Sequence, residues 1–173
     1  MSGPLLCQQP EEDAQRMPAR KTVLFVCTGN VCRSPMAAGF FYDQLLRAKS
    51  DGMVRVRSAG LWALEGQPAS AYALQVMSEH DLDIGAHRAR SLSQADVDES
   101  GLILVMTKRH ADIISHDLER TLGKVYLLAE MAGEAYDIED PYGGSLVEYR
   151  RTATELEGLV EHGYSKIMGL LQE

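Results

Sequence analysis

From Val23 to Pro35 the chain reads Val-Leu-Phe-Val-Cys-Thr-Gly-Asn-Val-Cys-Arg-Ser-Pro. Four apolar residues without alternation fit a strand buried on both faces. Pro35 suits the first turn of a helix, where a missing N–H costs nothing. Only a short loop is left between strand and helix. A strand that feeds a helix in this way returns by a crossover to a parallel neighbour, so the stretch predicts an α/β domain. Such a loop also gathers backbone N–H groups around one point, with the positive end of the helix behind them. That makes an anion site with the Cys27 thiol at its centre. Arg33, at the rim, adds a planar fork of donors that matches two oxygens of a phosphate.

The remaining patterns support the same architecture. Lys21 to Val26 is the first strand, and a helix is expected from Arg33 to about Ala48, with Met36, Phe40, Phe41, Leu45 and Leu46 on its apolar repeat. Met53 to Ser58 alternates and reads as a second strand, which Ala59-Gly60 ends. Leu61 to Gly66, with Trp62, is a loop; Pro68 is expected to open a helix that reaches about His80. A helical turn is expected near Gln94 to Glu99. Leu102 to Met106 is a strand buried on both faces, and Thr107 caps the helix after it. Lys124 to Leu128 is a fourth strand. Gly143 to Leu171 begins as a loop and becomes a long helix with Leu146, Tyr149, Leu156, Leu159, Val160, Ile167 and Leu170 as its core stripe. The sum is a small doubly wound α/β domain with a central four-stranded parallel sheet flanked by helices. Ligands of such folds bind beyond the carboxyl ends of the strands, where Cys27 lies.

A chain of 173 residues suits one core. Residues 1–20 are polar and proline-punctuated, without periodicity, and are expected to be a mobile tail in which Cys7 has no role; residues 21–173 form one domain. The net charge of −8 argues against nucleic acid or anionic membrane as a partner, so attraction of an anion must come from the loop itself. No apolar run approaches the ~20 residues that span a bilayer, and no signal-peptide pattern opens the chain. Three cysteines fit a reducing cytoplasm. His110 and His116 fall on one helix and are expected to face solvent; no Cys/His cluster supports a metal, and no cofactor is implied.

The chemistry follows from the loop. A free thiol is mostly protonated at neutral pH, but donors and a helix N-terminus around Cys27 favour the thiolate. A thiolate beneath a phosphate-shaped cradle is set up to attack phosphorus. Gly29 leaves room for close approach, Asn30 tolerates positive φ, and Ser34 can donate to the sulfur. The competing reading, a small buried core cysteine, does not account for the Cys-x5-Arg-Ser spacing. The second group such chemistry needs is an acid for the leaving oxygen. Asp140 is the candidate, held extended by Pro141, with Glu139 beside it expected to raise its hold on the proton by like-charge repulsion. Local sequence alone also fits a plain turn, and Asp137 and Glu139 are its rivals.

The loop Cys27-Thr28-Gly29-Asn30-Val31-Cys32-Arg33-Ser34-Pro35, together with Asp140-Pro141-Tyr142, resembles the low-molecular-weight protein tyrosine phosphatase family over residues 21 to 172. The resemblance implies a hydrolase that acts on phosphorylated protein as a monomer, with inorganic phosphate as product and competitive ligand. It implies Cys27 as nucleophile, Asp140 as acid and then base, and Thr28, Gly29, Asn30, Val31, Cys32, Arg33 and Ser34 as the phosphate cradle. Ser58 and His87 match a distant serine and histidine that brace the loop through its asparagine and serine, and His87-Arg88-Ala89-Arg90 resembles the family's His-x-Ala-Arg. Val31, Trp62 and Tyr142 are candidate pocket walls. Here the chain departs from the animal enzymes, whose aromatic comes later in the loop after Ser-x-Gly and which carry a second tyrosine after Asp-Pro-Tyr, so a core position for Trp62 stays open. Cys32 reads either as a partner that protects Cys27 by a reversible disulfide or as a small filler.

The substrate is read two ways. Val31 stands where a protein-arginine-phosphatase branch has threonine and is chemically nearer the aliphatic residue of the tyrosine-specific members. Asp140-Pro141-Tyr142-Gly143-Gly144-Ser145 looks more like the arginine branch. Phosphotyrosine is the expected substrate and phosphoarginine the alternative. A thiol-dependent arsenate reductase would need further cysteines after Cys32, and none occurs. A non-catalytic phosphate-binding module would not need Cys27, Arg33 and Asp140 together.

Overall fold

Residues 20–173 are described by a computed structural model; the expected tail, with Cys7, lies outside them apart from Arg20. Strand β1 (Lys21–Cys27) is followed by helix α1 (Arg33–Arg47), β2 (Val54–Gly60), α2 (Ala71–Glu79), α3 (Gln94–Glu99), β3 (Ser100–Val105), α4 (Lys108–Asp117), β4 (Val125–Leu127), α5 (Leu128–Met131) and α6 (Leu146–Gln172). The four strands pair in parallel in the order β2-β1-β3-β4, the sheet the sequence predicts.

The unbroken apolar runs of β1 and β3 serve both sheet faces. Val23, Phe25, Leu102 and Leu104 pack towards α1, α5 and α6, where Phe41, Leu128 and Leu156 meet them. Leu24, Val26, Ile103 and Val105 pack on the opposite face with Val97 of α3 and Ile114 of α4. All eight strand residues are fully buried, and each such side chain contributes about 1.5–3 kcal/mol by leaving water.

Several ends differ from expectation, each for a local reason. Helix α2 begins at Ala71, not Pro68, because Ser70 Oγ accepts from the Ala73 N–H and fixes the cap. Strand β2 runs on to Gly60 because its ladder with β1 continues through Ala59 opposite Val26 and Gly60 opposite Cys27. Strand β4 is cut to three residues: Glu130 accepts from the Leu127 N–H and turns Leu128 into a short helix. Helix α6 opens with a capping box in which Ser145 and Glu148 bond each other's backbone. On its stripe Leu171 is buried where Leu170 was expected, and Leu170 is half-buried.

From β1 the chain crosses to β2 on one side, then over to β3 on the other. This reversal opens a crevice at the carboxyl ends of β1 and β3. Cys27 is the last residue of β1.

Candidate active site

The loop after β1 closes around the Cys27 sulfur. The Asn30 N–H donates to Sγ at 3.3 Å and Ser34 Oγ lies 3.0 Å from it. Asn30 makes this return possible by taking φ +57°, in the left-handed region that asparagine tolerates. Its side chain then braces the loop: Nδ2 donates to Ser34 Oγ (2.8 Å) and Ser58 Oγ (2.9 Å), and Oδ1 accepts from the Arg90 N–H (3.0 Å). Asn30 already donates into Ser34 Oγ, and the Ser34 hydrogen has two acceptors within reach, the Cys27 sulfur at 3.0 Å and the Ala59 carbonyl at 3.5 Å. His87 Nε2 donates to the Asn30 carbonyl at 2.7 Å. Burial, then Arg88 and Arg90, hold the His87 imidazole below its usual range, against the effect of that bond. Ser58 and His87 thus both bond Asn30 from outside the loop.

Among the described residues no side chain caps α1. Its first N–H groups are therefore left to face whatever the loop holds. Gly60 contributes by what it lacks: a Cβ there would stand 2.8 Å from the Thr28 carbonyl oxygen and 2.9 Å from the Asn30 nitrogen. The sequence showed this glycine only as the end of a strand.

Arg33 is buried and reaches across the site. Nη1 donates to the Ile138 carbonyl (2.9 Å), and Nη2 donates to Asp140 Oδ2 (2.7 Å) and Thr28 Oγ1 (3.3 Å). Asp140 Oδ1 accepts from the Tyr142 N–H at 3.1 Å, so the acid loop is folded over its own carboxylate. The rivals are engaged elsewhere. Asp137 accepts from the Lys108 N–H at the start of α4. Glu139 pairs with Arg151 at 2.8 Å.

Cys27, Thr28, Gly29, Val31, Cys32, Trp62, Leu64, Gln67, Asp140 and Tyr142 line one cleft of about 210 Å³. Trp62 is 59 % exposed, which excludes a core position. Leu64 and Gln67 were not singled out from sequence. Cys32 is turned into a buried triangle with Ser70 Oγ (3.3 Å) and Tyr149 Oη (3.1 Å), and burial pushes its thiol up.

His110 is the main correction. It is buried, not solvent-facing, and its Nε2 lies 3.0 Å from Thr28 Oγ1. It sits one helical turn before Ile114, which faces the core, and that i,i+4 relation was the available signal. His116 is exposed beside Asp117. Among the described residues no group of three or more His, Cys, Asp or Glu side chains is placed to hold a metal.

A cysteine at the end of a central parallel strand, bonded by a loop N–H and a hydroxyl and sharing a cleft with a carboxylate that an arginine holds, fits a thiol-dependent phosphatase class on an α/β scaffold. Comparison with known proteins gives the family. A family model described as "Low molecular weight phosphotyrosine protein phosphatase" matches residues 22–168. The chain is 40% identical over 152 residues to a protein-arginine-phosphatase of Geobacillus stearothermophilus, covering 87% of this chain and 97% of that one. It is 39% identical over 150 residues to a probable low molecular weight protein-tyrosine-phosphatase, EpsP, of Ralstonia nicotianae, covering 87% and 98%. The crystal structure of a low molecular weight protein tyrosine phosphatase from T. tengcongensis matches with TM-score 0.80 at 40% identity, over 84% of this chain and 99% of that one. The protein belongs to the low molecular weight phosphotyrosine protein phosphatase family and is a cysteine-dependent phosphoric monoester hydrolase acting on phosphorylated protein. Among the described residues no helix is long and apolar enough to cross a membrane.

Proposed function

We propose that residues 21–173 act as one phosphatase domain that hydrolyses phosphotyrosine through a cysteinyl-phosphate on Cys27. The observation that carries this reading is the Cys27 sulfur held by the Asn30 N–H and Ser34 Oγ in the same cleft as Asp140. In the first step Cys27 Sγ bonds to phosphorus, the phosphorus–phenol oxygen bond breaks, and Asp140 gives its proton to that oxygen. The loop N–H groups and Arg33 hold the three remaining oxygens. Arg33 Nε, buried and without a partner among the described residues, is a donor in reserve. As the phosphoryl group takes the guanidinium, the Arg33–Asp140 pair parts and the carboxyl turns to the leaving group. In the second step Asp140 takes a proton from water, the water oxygen bonds to phosphorus, and the sulfur leaves as an anion stabilised by Ser34. Inorganic phosphate is the product and would compete for the cradle. A nucleophile that must stay reduced belongs in a reducing compartment, the cytoplasm, and a site built wholly from one chain is consistent with a monomer.

Val31, Trp62, Leu64 and Tyr142 give the cleft apolar and aromatic walls that suit a phenol ring. Phosphoarginine is the second reading, favoured by the relative named a protein-arginine-phosphatase and by the glycines after Tyr142. Its guanidinium carries N–H donors that need acceptors. Val31 offers none, and an unpaired buried donor costs about 1–3 kcal/mol; Asp140 and Gln67 are the acceptors that line the cleft. Parallel kcat/KM measurements on phosphotyrosine and phosphoarginine peptides are expected to favour phosphotyrosine. Val31→Thr is expected to shift the ratio towards phosphoarginine by about 10-fold or more. A native preference for phosphoarginine would reverse the substrate assignment, and an unmoved ratio would remove position 31 as its determinant.

A further inference from the structure

We infer that His110 carries its proton on Nε2 and donates it to Thr28 Oγ1, which leaves the Thr28 hydroxyl hydrogen free to bind an oxygen of the phosphoryl group in the cradle. This rests on the reading of the cradle given above and adds to it a side-chain donor, Thr28, positioned by a histidine outside the loop.

Thr28 Oγ1 has one hydrogen and two lone pairs. Arg33 Nη2 donates into it at 3.3 Å, and His110 Nε2 stands 3.0 Å away. The two neutral forms of the imidazole share out these sites differently. With the proton on Nδ1, Thr28 would spend its hydrogen on Nε2. The Nδ1–H would then be a buried donor with nothing to bond, since His110 Nδ1 is buried and has no partner among the described residues. Orphaned buried N–H groups are rarer than under-satisfied acceptors. With the proton on Nε2, the atom left without a partner is an acceptor. Arg33 and His110 then fill both lone pairs of Thr28, and its hydrogen stays unspent at a residue that lines the cleft.

The imidazolium is not a third form at neutral pH. Burial first, then the Arg33 guanidinium, hold His110 down at about 4, with Arg109 acting in the same sense and Asp140 and Asp137 against it. The neutral ring also adds no charge beside Arg33.

Long-range 1H–15N spectra of the imidazoles in the wild-type protein read the tautomer without any substitution. The expected result is a protonated Nε2 and a bare Nδ1 for His110; a protonated Nδ1 overturns the inference. Thr28→Val removes the hydroxyl and keeps the branched shape. It is expected to raise the inhibition constant of inorganic phosphate about 10-fold and to lower kcat/KM about 10²-fold, whereas Thr28→Ser stays within about 3-fold. His110→Ala is expected to lose a similar factor, and the double variant Thr28→Val/His110→Ala to lose no more than Thr28→Val alone. Unchanged phosphate inhibition in Thr28→Val, or fully multiplicative losses in the double variant, overturns the inference. Failure here is distinct from failure of the cradle reading: in the first case Thr28→Val is active and Cys27→Ser inactive, in the second Cys27→Ser is itself active.

Discussion

Cys27→Ser is expected to fold like the parent and to hydrolyse an aryl phosphate at least about 10⁴-fold more slowly. The fold survives because the replaced atom is small and its neighbours remain satisfied: the Asn30 N–H and Ser34 Oγ can both bond a hydroxyl. The activity does not survive because a serine needs a base to take its proton. Among the described residues, the groups within hydrogen-bonding distance of Sγ are a backbone N–H and a hydroxyl, neither of them a base. They can bond an anion but cannot take a proton from a serine hydroxyl to make one. Hydrolysis of p-nitrophenyl phosphate, with circular dichroism and phosphate binding as controls of the fold, checks this. Turnover near that of the parent would remove Cys27 as nucleophile.

Asp140→Ala is expected to slow a substrate with a poor leaving group by about 10²–10⁴-fold. Read as kcat/KM, which reports only the step that forms the cysteinyl-phosphate, a substrate whose leaving group departs unaided should lose less than about 10-fold. The difference between the two substrates is the signature of acid catalysis, because a good leaving group needs no proton. Removing the carboxylate also frees Arg33 Nη2, which bonds Asp140 at 2.7 Å. Tighter phosphate binding should therefore accompany the loss of rate. Asp140→Asn, whose amide oxygen can still accept from the Tyr142 N–H, separates the lost proton from the lost loop contact. Equal losses of kcat/KM for both substrates in both variants would contradict the role of acid.

Parts of the site that are contiguous in sequence could be read there. Cys27 to Ser34 run unbroken from strand end to helix start, so the residue types and the periodicities on either side were enough to expect a thiol beside a helix N-terminus. Parts assembled from distant segments could not be read from local pattern. Asn30 meets Ser58 and His87 across stretches of 28 and 57 residues, and these two were singled out through family resemblance alone. His110 lies 82 residues from Thr28. Its neighbours Lys108, Arg109 and Asp112 make that stretch look wet, and the helix turns His110 inward with Ile114. Gly60 was read as punctuation, although its role is to let the loop backbone pass within 3 Å of where a Cβ would be. Glu139 was read with Asp140 because they are adjacent; in the structure it also pairs with Arg151, twelve residues on, which no local pattern shows.

The account turns on a bond between sulfur and phosphorus. Asp140→Ala, given a substrate with a good leaving group, should form that bond at near-normal rate and break it slowly, since Asp140 is also the base for water. Rapid quenching of this variant in mid-turnover, followed by phosphopeptide mapping and 31P NMR, should find one phosphoryl group on Cys27 Sγ. Phosphorus on another side chain, or none at all while product still forms, would contradict it.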